Sequence, residues 1–335
     1  MPARVAINGM GRIGRALLRL VLPERALCLV AVNDLAPADN LAYLLRYDTA
    51  YGRLDEGVDA KDSAITVGGH TFQVLNEKDP ARLPWGDLGI DLVFECSGLF
   101  CKRDQMRKHL EAGADRVVLS APGKDDVTTI VYGVNHGDAE GVDLVSCASC
   151  TTNCIAPVME VLSRRIGVRK ASMTTVHAYT SSQELVDGPA SKWRRGRAAA
   201  ANIVPTTTGA CEATEKAVPA VAGRFDGVAL RVPVTIGSIA DIVCLTSRAT
   251  TTEEINNIFR EEAATERYRG VLGVTDEPIV SSDVVTDLRA CIVDSDLTMV
   301  TDGDLVKIMA WYDNEAGYAQ QMVRYALSTV RDLAT

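Results

Sequence analysis

The chain has 335 residues and a formal net charge of −9, with 24% charged and 47% hydrophobic residues. At roughly 100–200 residues per domain this is enough for two domains with cores of their own, and the composition excludes a mainly disordered protein. The acidic balance argues against a nucleic-acid partner, which calls for a basic excess. No apolar run reaches the ~18–20 residues of a bilayer span, so no membrane partner is expected either.

The nine cysteines (28, 96, 101, 147, 150, 154, 211, 244 and 291) are odd in number and irregularly spaced, which argues against a disulfide framework. The first residues, MPARVAINGMGR, lack the long apolar core of a signal peptide. A reduced, cytoplasmic protein is the expectation.

In chain order, residues 4–8 (RVAIN) read as a short buried strand that closes on Asn8. The glycine run Gly9-Met10-Gly11-Arg12-Ile13-Gly14 follows at once, then helical apolar spacing over 15–21, stopped by Pro23. A second apolar run, 27–32, ends at Asn33-Asp34, twenty residues after Gly14. Strand, G-x-G-x-x-G, helix, strand and acid in this order form a dinucleotide fingerprint. Gly9 permits the tight turn, Gly11 lets the backbone approach a pyrophosphate, and Gly14 lets helix and strand pack closely. The helix N-terminus favours the phosphates. Asp34 can accept from the ribose hydroxyls and would repel a 2′-phosphate, which favours NAD over NADP.

Further strands are expected over 71–75, over 91–96 ending at Ser97-Gly98, and over 117–120, with a helix over 102–112 between the last two. Strands alternating with helices imply a parallel sheet whose ligand lies beyond the carboxyl ends of the strands. Ser97, Gly98 and Ser120 sit where a cofactor would pass. Each can equally be plain turn chemistry.

The densest chemistry is Ser146-Cys147-Ala148-Ser149-Cys150-Thr151-Thr152-Asn153-Cys154, followed by an amphipathic helix over 155–165. A helix N-terminus favours the thiolate and is expected to lower the pKa of Cys150. C-x2-C-x3-C lacks the fourth ligand and the paired spacing of a zinc site, so no metal is expected. Cys147 and Cys154 read as small buried hydrophobes. Of four histidines, His109 lies in a charged helix, His70 in a hairpin turn after Gly68-Gly69, and His136 in a Gly- and Asp-rich loop. His177 alone ends an apolar, β-branched strand beside a polar stretch, and is the best partner for Cys150.

The motifs INGMGRIGR (7–15), YDTAYGR (47–53), SCTTNCIAPV (149–158), HAYT (177–180), RRGRAAAANIVPTTTG (194–209), LRVP (230–233) and WYDNEAGY (311–318) run nearly end to end. With them the chain resembles the phosphorylating glyceraldehyde-3-phosphate dehydrogenase family. The resemblance implies an NAD-dependent enzyme in which Cys150 attacks a triose-phosphate aldehyde and His177 acts as base. A thiohemiacetal becomes a thioester, and inorganic phosphate takes the acyl group to give 1,3-bisphosphoglycerate. It implies that Thr180, Arg195 and Arg231 hold the substrate phosphate, and that Ser149, Thr151, Thr208 and Gly209 hold the attacking phosphate. Asn8, Arg12 and Ile13 join the cofactor set, Asn314 orients the nicotinamide carboxamide, and Tyr318 lies beside the ring. The basic stretch 193–197 (WRRGR) belongs to a loop at a subunit interface in that family, which implies a homotetramer in glycolysis.

The expected fold is α/β: a Rossmann doubly wound parallel-sheet domain over 1–149, and an α+β catalytic domain with a mostly antiparallel sheet over 150–315. A C-terminal helix over 316–335 is expected to pack back on the first domain. In the second domain strands are expected over 171–176, 227–233 and 238–246, and a helix over 252–265. Three places depart from the family pattern: Met10 for an aromatic residue, Ala316 for a tryptophan, and the stretch 287–289. Two alternatives stay open, an erythrose-4-phosphate dehydrogenase and a non-catalytic binding protein on the same scaffold.

Overall fold

The computed structural model describes residues 1–333 and divides into two units. The first comprises Met1–Tyr132, His136–Ala148 and the described chain from Ala319 on. Its nine-stranded sheet starts in the middle. Ala3–Asn8 pairs in parallel with Leu27–Asn33 on one side and with Leu92–Glu95 on the other. Arg116–Leu119, Leu144–Ser146 and Thr128–Thr129 extend the second side, all in parallel. His70–Leu75 extends the first side in parallel, and Ala64–Val67 and Val58–Lys61 finish it antiparallel.

Both Leu92–Glu95 and Arg116–Leu119 are buried at every position, as strands covered on both faces must be. Ala6, Ala31 and Val93 are neighbours across three strands and pack under Trp85 and Ile90. The chain reverses its winding between Ala3–Asn8 and Leu92–Glu95, so their carboxyl ends form a topological switch point.

The first helix, Arg12–Val21, starts three residues before the expected position. Gly14 does not break it, because a Cβ there would stand 2.0 Å from the Gly9 carbonyl oxygen and only glycine allows that approach. His70 does not sit in the turn: Gly68 and Gly69, at φ +56° and +86°, make a two-residue hairpin, and His70 opens the next strand opposite Val67.

The second unit comprises Gly133–Asn135 and Ser149–Tyr318. Its seven strands run in the order Val204–Thr207, Phe225–Val232, Val168–Ala178, Ser238–Thr246, Leu305–Tyr312, Cys291–Thr301 and Leu272–Thr275. Four of the six pairings are antiparallel, so the sheet is mostly antiparallel. Helices Cys150–Arg165, Ala210–Ala217 and Thr252–Ala263 pack against it. Thr251 caps the last of these by accepting from the Glu254 amide. The closing helix, Ala316–Leu333, is preceded by Asp313, whose Oδ1 accepts from the amides of Glu315 and Ala316, both at 2.8 Å. No helix among the described residues is long and apolar enough to cross a membrane.

Candidate active site

Within the first unit the glycine loop leaves the carboxyl end of Ala3–Asn8, at the switch point. Gly9 has φ +96°, and a Cβ on it would meet the Ser97 amide nitrogen at 2.5 Å. Gly11 differs. Its φ is −67°, and nothing in the protein comes within 4 Å of a built Cβ. The protein's own packing therefore gives no reason for glycine there, while a ligand approaching the backbone does. Gly11 is also the N-cap of helix Arg12–Val21 and provides no side-chain cap, so no side chain of its own competes with an anion at the helix start. Asp34 closes the loop from the next strand: its Oδ2 accepts from the Met10 amide at 2.7 Å and its Oδ1 from the Ala36 amide at 2.9 Å. Each oxygen keeps a lone pair for a ribose hydroxyl. Arg12 pairs with Asp48 at 2.5 Å, with Tyr51 under its guanidinium, and Ser120 donates its amide to the Glu95 carbonyl. An open backbone cradle, a helix start without a side-chain cap and an anchored carboxylate suit a dinucleotide.

Beneath that loop lies a cluster that motif reading passes over. Glu95 is fully buried and accepts from four donors: Asn8 Nδ2 at 2.5 Å, His109 Nε2 at 3.0 Å, and the Ser97 amide and hydroxyl at 2.8 and 2.5 Å. Trp85 Nε1 donates to His109 Nδ1 at 3.0 Å, which leaves the ring proton on the nitrogen facing Glu95. Asn33 donates to Asn8 Oδ1 at 2.7 Å. The Asn8 side chain is thus committed inside the protein and is not offered to a cofactor. Its burial signal was faint: in helix Arg103–Glu111 only Met106 and His109, three apart, turn fully inward.

In the second unit Cys150 is the first residue of helix Cys150–Arg165. Ser149 caps it, accepting from the Thr152 amide at 3.2 Å. Ala148, just before the cap, holds φ +56°, a region rare for residues with side chains and frequent at functional sites. Strand Val168–Ala178 carries His177, whose Nε2 lies 3.4 Å from Cys150 Sγ. The parallel register sets His177 opposite Arg231 on strand Phe225–Val232. Arg231 Nη1 lies 2.7 Å from His177 Nδ1 and 2.9 Å from the Ala178 carbonyl oxygen.

Burial pushes the Cys150 thiol up, although Arg231 and the hydrogen bonds from Thr151 pull the other way. Burial, aided by the Arg231 charge, takes His177 down to about 3. The helix terminus was expected to favour thiolate, but desolvation outweighs it here.

Thr151 Oγ1 is engaged by Tyr312 Oη at 3.0 Å, and Tyr312 Oη reaches Thr175 Oγ1 at 2.7 Å. The Thr151 hydroxyl therefore faces inward, and its helix-start backbone is what it can offer an anion. Tyr312 also sets its ring edge-on to His177, with centroids 5.9 Å apart. Ser238, buried and absent from the sequence-based set, accepts from the Ala178 amide at 3.1 Å and donates to Asn314 Oδ1 at 3.0 Å. It links the strand of the histidine to Asn314.

Thr180 and Arg195 come together through Ser182, at 2.9 and 3.2 Å, and Arg195 Nε donates to Thr206 Oγ1 at 2.9 Å. The Arg195 charge reaches Arg231 as well, adding to the burial that lowers the pKa of Arg231. Arg231 Nε is buried with no acceptor, and so is the whole amide of Gln183. Thr208 Oγ1 accepts from the Ala210 amide, and Gly209 is the N-cap of helix Ala210–Ala217, which packs beside the Cys150 helix. No hydrogen bond joins Thr208 or Gly209 to Ser149 or Thr151 among the described residues. The remaining cofactor candidates, Ile13 and Gly98 in the first unit and Asn314 and Tyr318 in the second, lie on their own units. Among the described residues no three His, Cys, Asp or Glu side chains gather as a metal site.

A dinucleotide crevice on a parallel sheet, with a thiol–imidazole pair on a second sheet, defines an NAD-dependent dehydrogenase. Residues 3–103 match the family described as glyceraldehyde 3-phosphate dehydrogenase, NAD binding domain, and residues 149–314 match its C-terminal domain. The glyceraldehyde-3-phosphate dehydrogenase of Streptomyces coelicolor is 48% identical over 326 residues, covering 96% of this chain and 97% of that protein. The corresponding protein of Clostridium acetobutylicum is 47% identical, with 96% and 97% coverage, and glyceraldehyde-3-phosphate dehydrogenase 1 of Bacillus subtilis is 44% identical, with 97% and 98%. The chain belongs to the glyceraldehyde 3-phosphate dehydrogenase family, and its cofactor is NAD.

Proposed function

We propose that the chain oxidises D-glyceraldehyde 3-phosphate with phosphorylation to 1,3-bisphosphoglycerate, with Cys150 as nucleophile and His177 as base. The observation that carries this reading is the 3.4 Å approach of Cys150 Sγ to His177 Nε2 at a helix start, with a half-buried Arg231 behind the imidazole. Cys150 adds to the aldehyde carbon to form a thiohemiacetal. His177 takes the hydroxyl proton as that carbon is oxidised. The Cys150 amide at the helix terminus, with His177, stabilises the oxyanion. Gly9, Gly11, Gly14, Arg12, Ile13, Asp34, Ser97, Gly98, Ser120, Asn314 and Tyr318 would hold NAD, which would supply the two-electron acceptor that the thioester requires. Inorganic phosphate then displaces the Cys150 thiolate from that thioester.

Two anions need cations and directional donors. Arg231, with an unpaired buried Nε, and Arg195, with Thr180 alongside, suit the substrate phosphate. Ser149, the Thr151 amide, Thr208 and Gly209 suit the attacking one. The loop after His177 leaves Leu185, Val186, Trp193 and Ile203 exposed, Trp193 by 89%, which supports an interface and hence a homotetramer. All nine cysteines are free, which supports a reducing, cytoplasmic setting.

The test is NADH formation from glyceraldehyde 3-phosphate and from erythrose 4-phosphate, each with and without inorganic phosphate. Phosphate-dependent turnover of the triose is expected. Equal rates without phosphate would overturn the reading and favour hydrolysis of the acyl-enzyme.

A further inference from the structure

One rung of the first sheet differs from the three before it. The registers put Asn33, Asn8 and Glu95 side by side on three adjacent strands. The rungs below are apolar and buried: Val5, Ala6 and Ile7 stand between Leu29, Ala31 and Val32 on one side and Leu92, Val93 and Phe94 on the other. On the polar rung the side chains bond sideways. Asn33 Nδ2 donates to Asn8 Oδ1 at 2.7 Å, and Asn8 Nδ2 donates to Glu95 Oε2 at 2.5 Å. Asn33 also holds the Glu77 backbone, donating to its carbonyl and accepting from its amide, both at 2.9 Å. At the other end His109 Nε2 donates to the same Glu95 Oε2 at 3.0 Å, and Trp85 fixes the tautomer from behind. Glu95 Oε1 takes the Ser97 amide and hydroxyl, and that hydroxyl accepts in turn from the Leu99 amide at 3.2 Å. Apolar residues of equal volume often hold a fold as well as a buried carboxylate does. What a fully satisfied polar set adds is one fixed geometry. The geometry fixed here is that of the strand ends. Asn33 is followed by Asp34 and Asn8 by Gly9, while Glu95 holds Ser97, whose amide nitrogen would meet a Cβ on Gly9 at 2.5 Å.

We propose that Asn8, Glu95 and His109 are positioning residues for NAD, and that their side-chain ladder sets the spacing of the three loops that a dinucleotide must span. None of them needs to touch the cofactor. Asp34 and the glycine loop would meet the adenosine ribose and the pyrophosphate at two of the strand ends. The rest of the molecule would pass the third, at Ser97-Gly98, on its way to Ser120. A crevice already held at one spacing spares the ligand the cost of ordering it. A nucleotide that stops at its first phosphate uses only the first two strand ends, so the ladder matters less to adenosine monophosphate than to NAD. His109 comes from helix Arg103–Glu111 rather than from a strand end, so its loss reaches the crevice only through Glu95. This inference rests on the placement of NAD over these strand ends.

Equilibrium dialysis of NAD and of adenosine monophosphate against the full chain tests it. His109→Leu removes a donor to Glu95. It should weaken NAD by about tenfold, the worth of one hydrogen bond to a carboxylate, and adenosine monophosphate by less than about threefold. His109→Gln, which returns an N–H to Glu95, should bring NAD back to within about threefold of wild type. With saturating NAD, kcat of His109→Leu should stay within about twofold of wild type while the KM for NAD rises. Trp85→Phe frees the His109 ring from its fixed tautomer. It should weaken NAD selectively by about threefold, and serves if His109→Leu fails to fold. Unchanged NAD affinity in these variants would overturn the proposal. Equal losses for the two ligands, or no recovery in His109→Gln, would overturn it as well, since both mark a general loosening of the unit. Asp34→Ala checks the placement itself and should weaken both ligands. If it weakens neither, the nucleotide is held elsewhere and the placement fails. If it weakens both while His109→Leu weakens neither, the placement stands and the positioning role alone fails.

Discussion

Two buried histidines, each beside other ionisable side chains, sit in the two units and differ in one respect. Around Glu95 every polar atom of the cluster that faces inward has a partner: four donors meet the carboxylate, and both nitrogens of His109 are used. Around Cys150 the bookkeeping fails. Nδ1 of His177 has both a donor, Arg231 Nη1, and an acceptor, the Ala178 carbonyl oxygen, as neighbours, Arg231 Nε has none, and the nearby Gln183 amide is unpaired at both ends. A closed network holds one geometry and has nothing left to offer a ligand, whereas an unpaired buried group costs free energy that a ligand can return. The first cluster is read as scaffold and the second as site, though each has a histidine in a nearly dry interior.

The sharpest way to break that contrast is to exchange their roles by mutation. Cys150→Ala should lower turnover by about 10^5-fold or more, the scale seen when a covalent nucleophile is lost. The urea midpoint should stay close to wild type, since no stabilising network depends on the thiol. His177→Asn should cost roughly 10²–10⁴-fold in kcat, the range for a general base. It also carries a sign test. The pKa of His177 is lowered from 6.5 to about 3, so between those values the unfolded chain takes up a proton that the folded chain refuses. Stability is therefore lost as pH falls below 6.5. Replacing the ring should remove roughly 2 kcal/mol of the decline between pH 7 and pH 5. A variant that declines as steeply as wild type would mean that His177 is not held neutral.

Glu95→Gln should give the opposite profile. One accepting oxygen becomes an NH2 group facing donors, and the buried arrangement should lose about 3–5 kcal/mol in urea unfolding. The folded fraction should keep its kcat, because no group of the Cys150 cluster is touched. A large fall in kcat with unchanged stability would place Glu95 in the chemistry and dissolve the distinction between the clusters.

These contrasts explain what the sequence discloses. The strand, glycine run, helix and acid from Arg4 to Asp34 are local, and short-range periodicity reveals them. The early start of the first helix was missed because Gly14 reads as a breaker until its approach to the Gly9 carbonyl is seen. Cys150 and His177 are legible as residue types with strand and helix ends attached. The inward turn of the Thr151 hydroxyl is not, because its partner Tyr312 is 161 residues away. Ser238 escaped for the same reason: a lone serine opening a strand has no pattern, and its role arises from Ala178 and Asn314 meeting across the sheet. Glu95 and His109 read as ordinary members of a strand and a charged helix, and only the packing of Trp85 over them shows otherwise.

The smallest expected effect probes the open end of the comparison in the nucleotide unit. Among the three fingerprint glycines, Gly9 and Gly14 are fixed by protein atoms at 2.5 and 2.0 Å from a built Cβ, whereas Gly11 meets nothing within 4 Å. Its φ of −67° is one that alanine adopts freely. Gly11→Ala should therefore leave the fold intact and change stability by less than about 1 kcal/mol, since the freedom lost by the unfolded chain is offset by the weaker N-cap that alanine makes. The added methyl should intrude only where NAD's pyrophosphate would approach the backbone, weakening NAD by roughly tenfold, about 1.4 kcal/mol. Equilibrium dialysis of NAD alongside urea unfolding reads both quantities in one preparation. Unchanged NAD affinity would show that the open space at Gly11 is solvent rather than cofactor. A loss of more than about 2 kcal/mol would show that the glycine is structural, like its two neighbours.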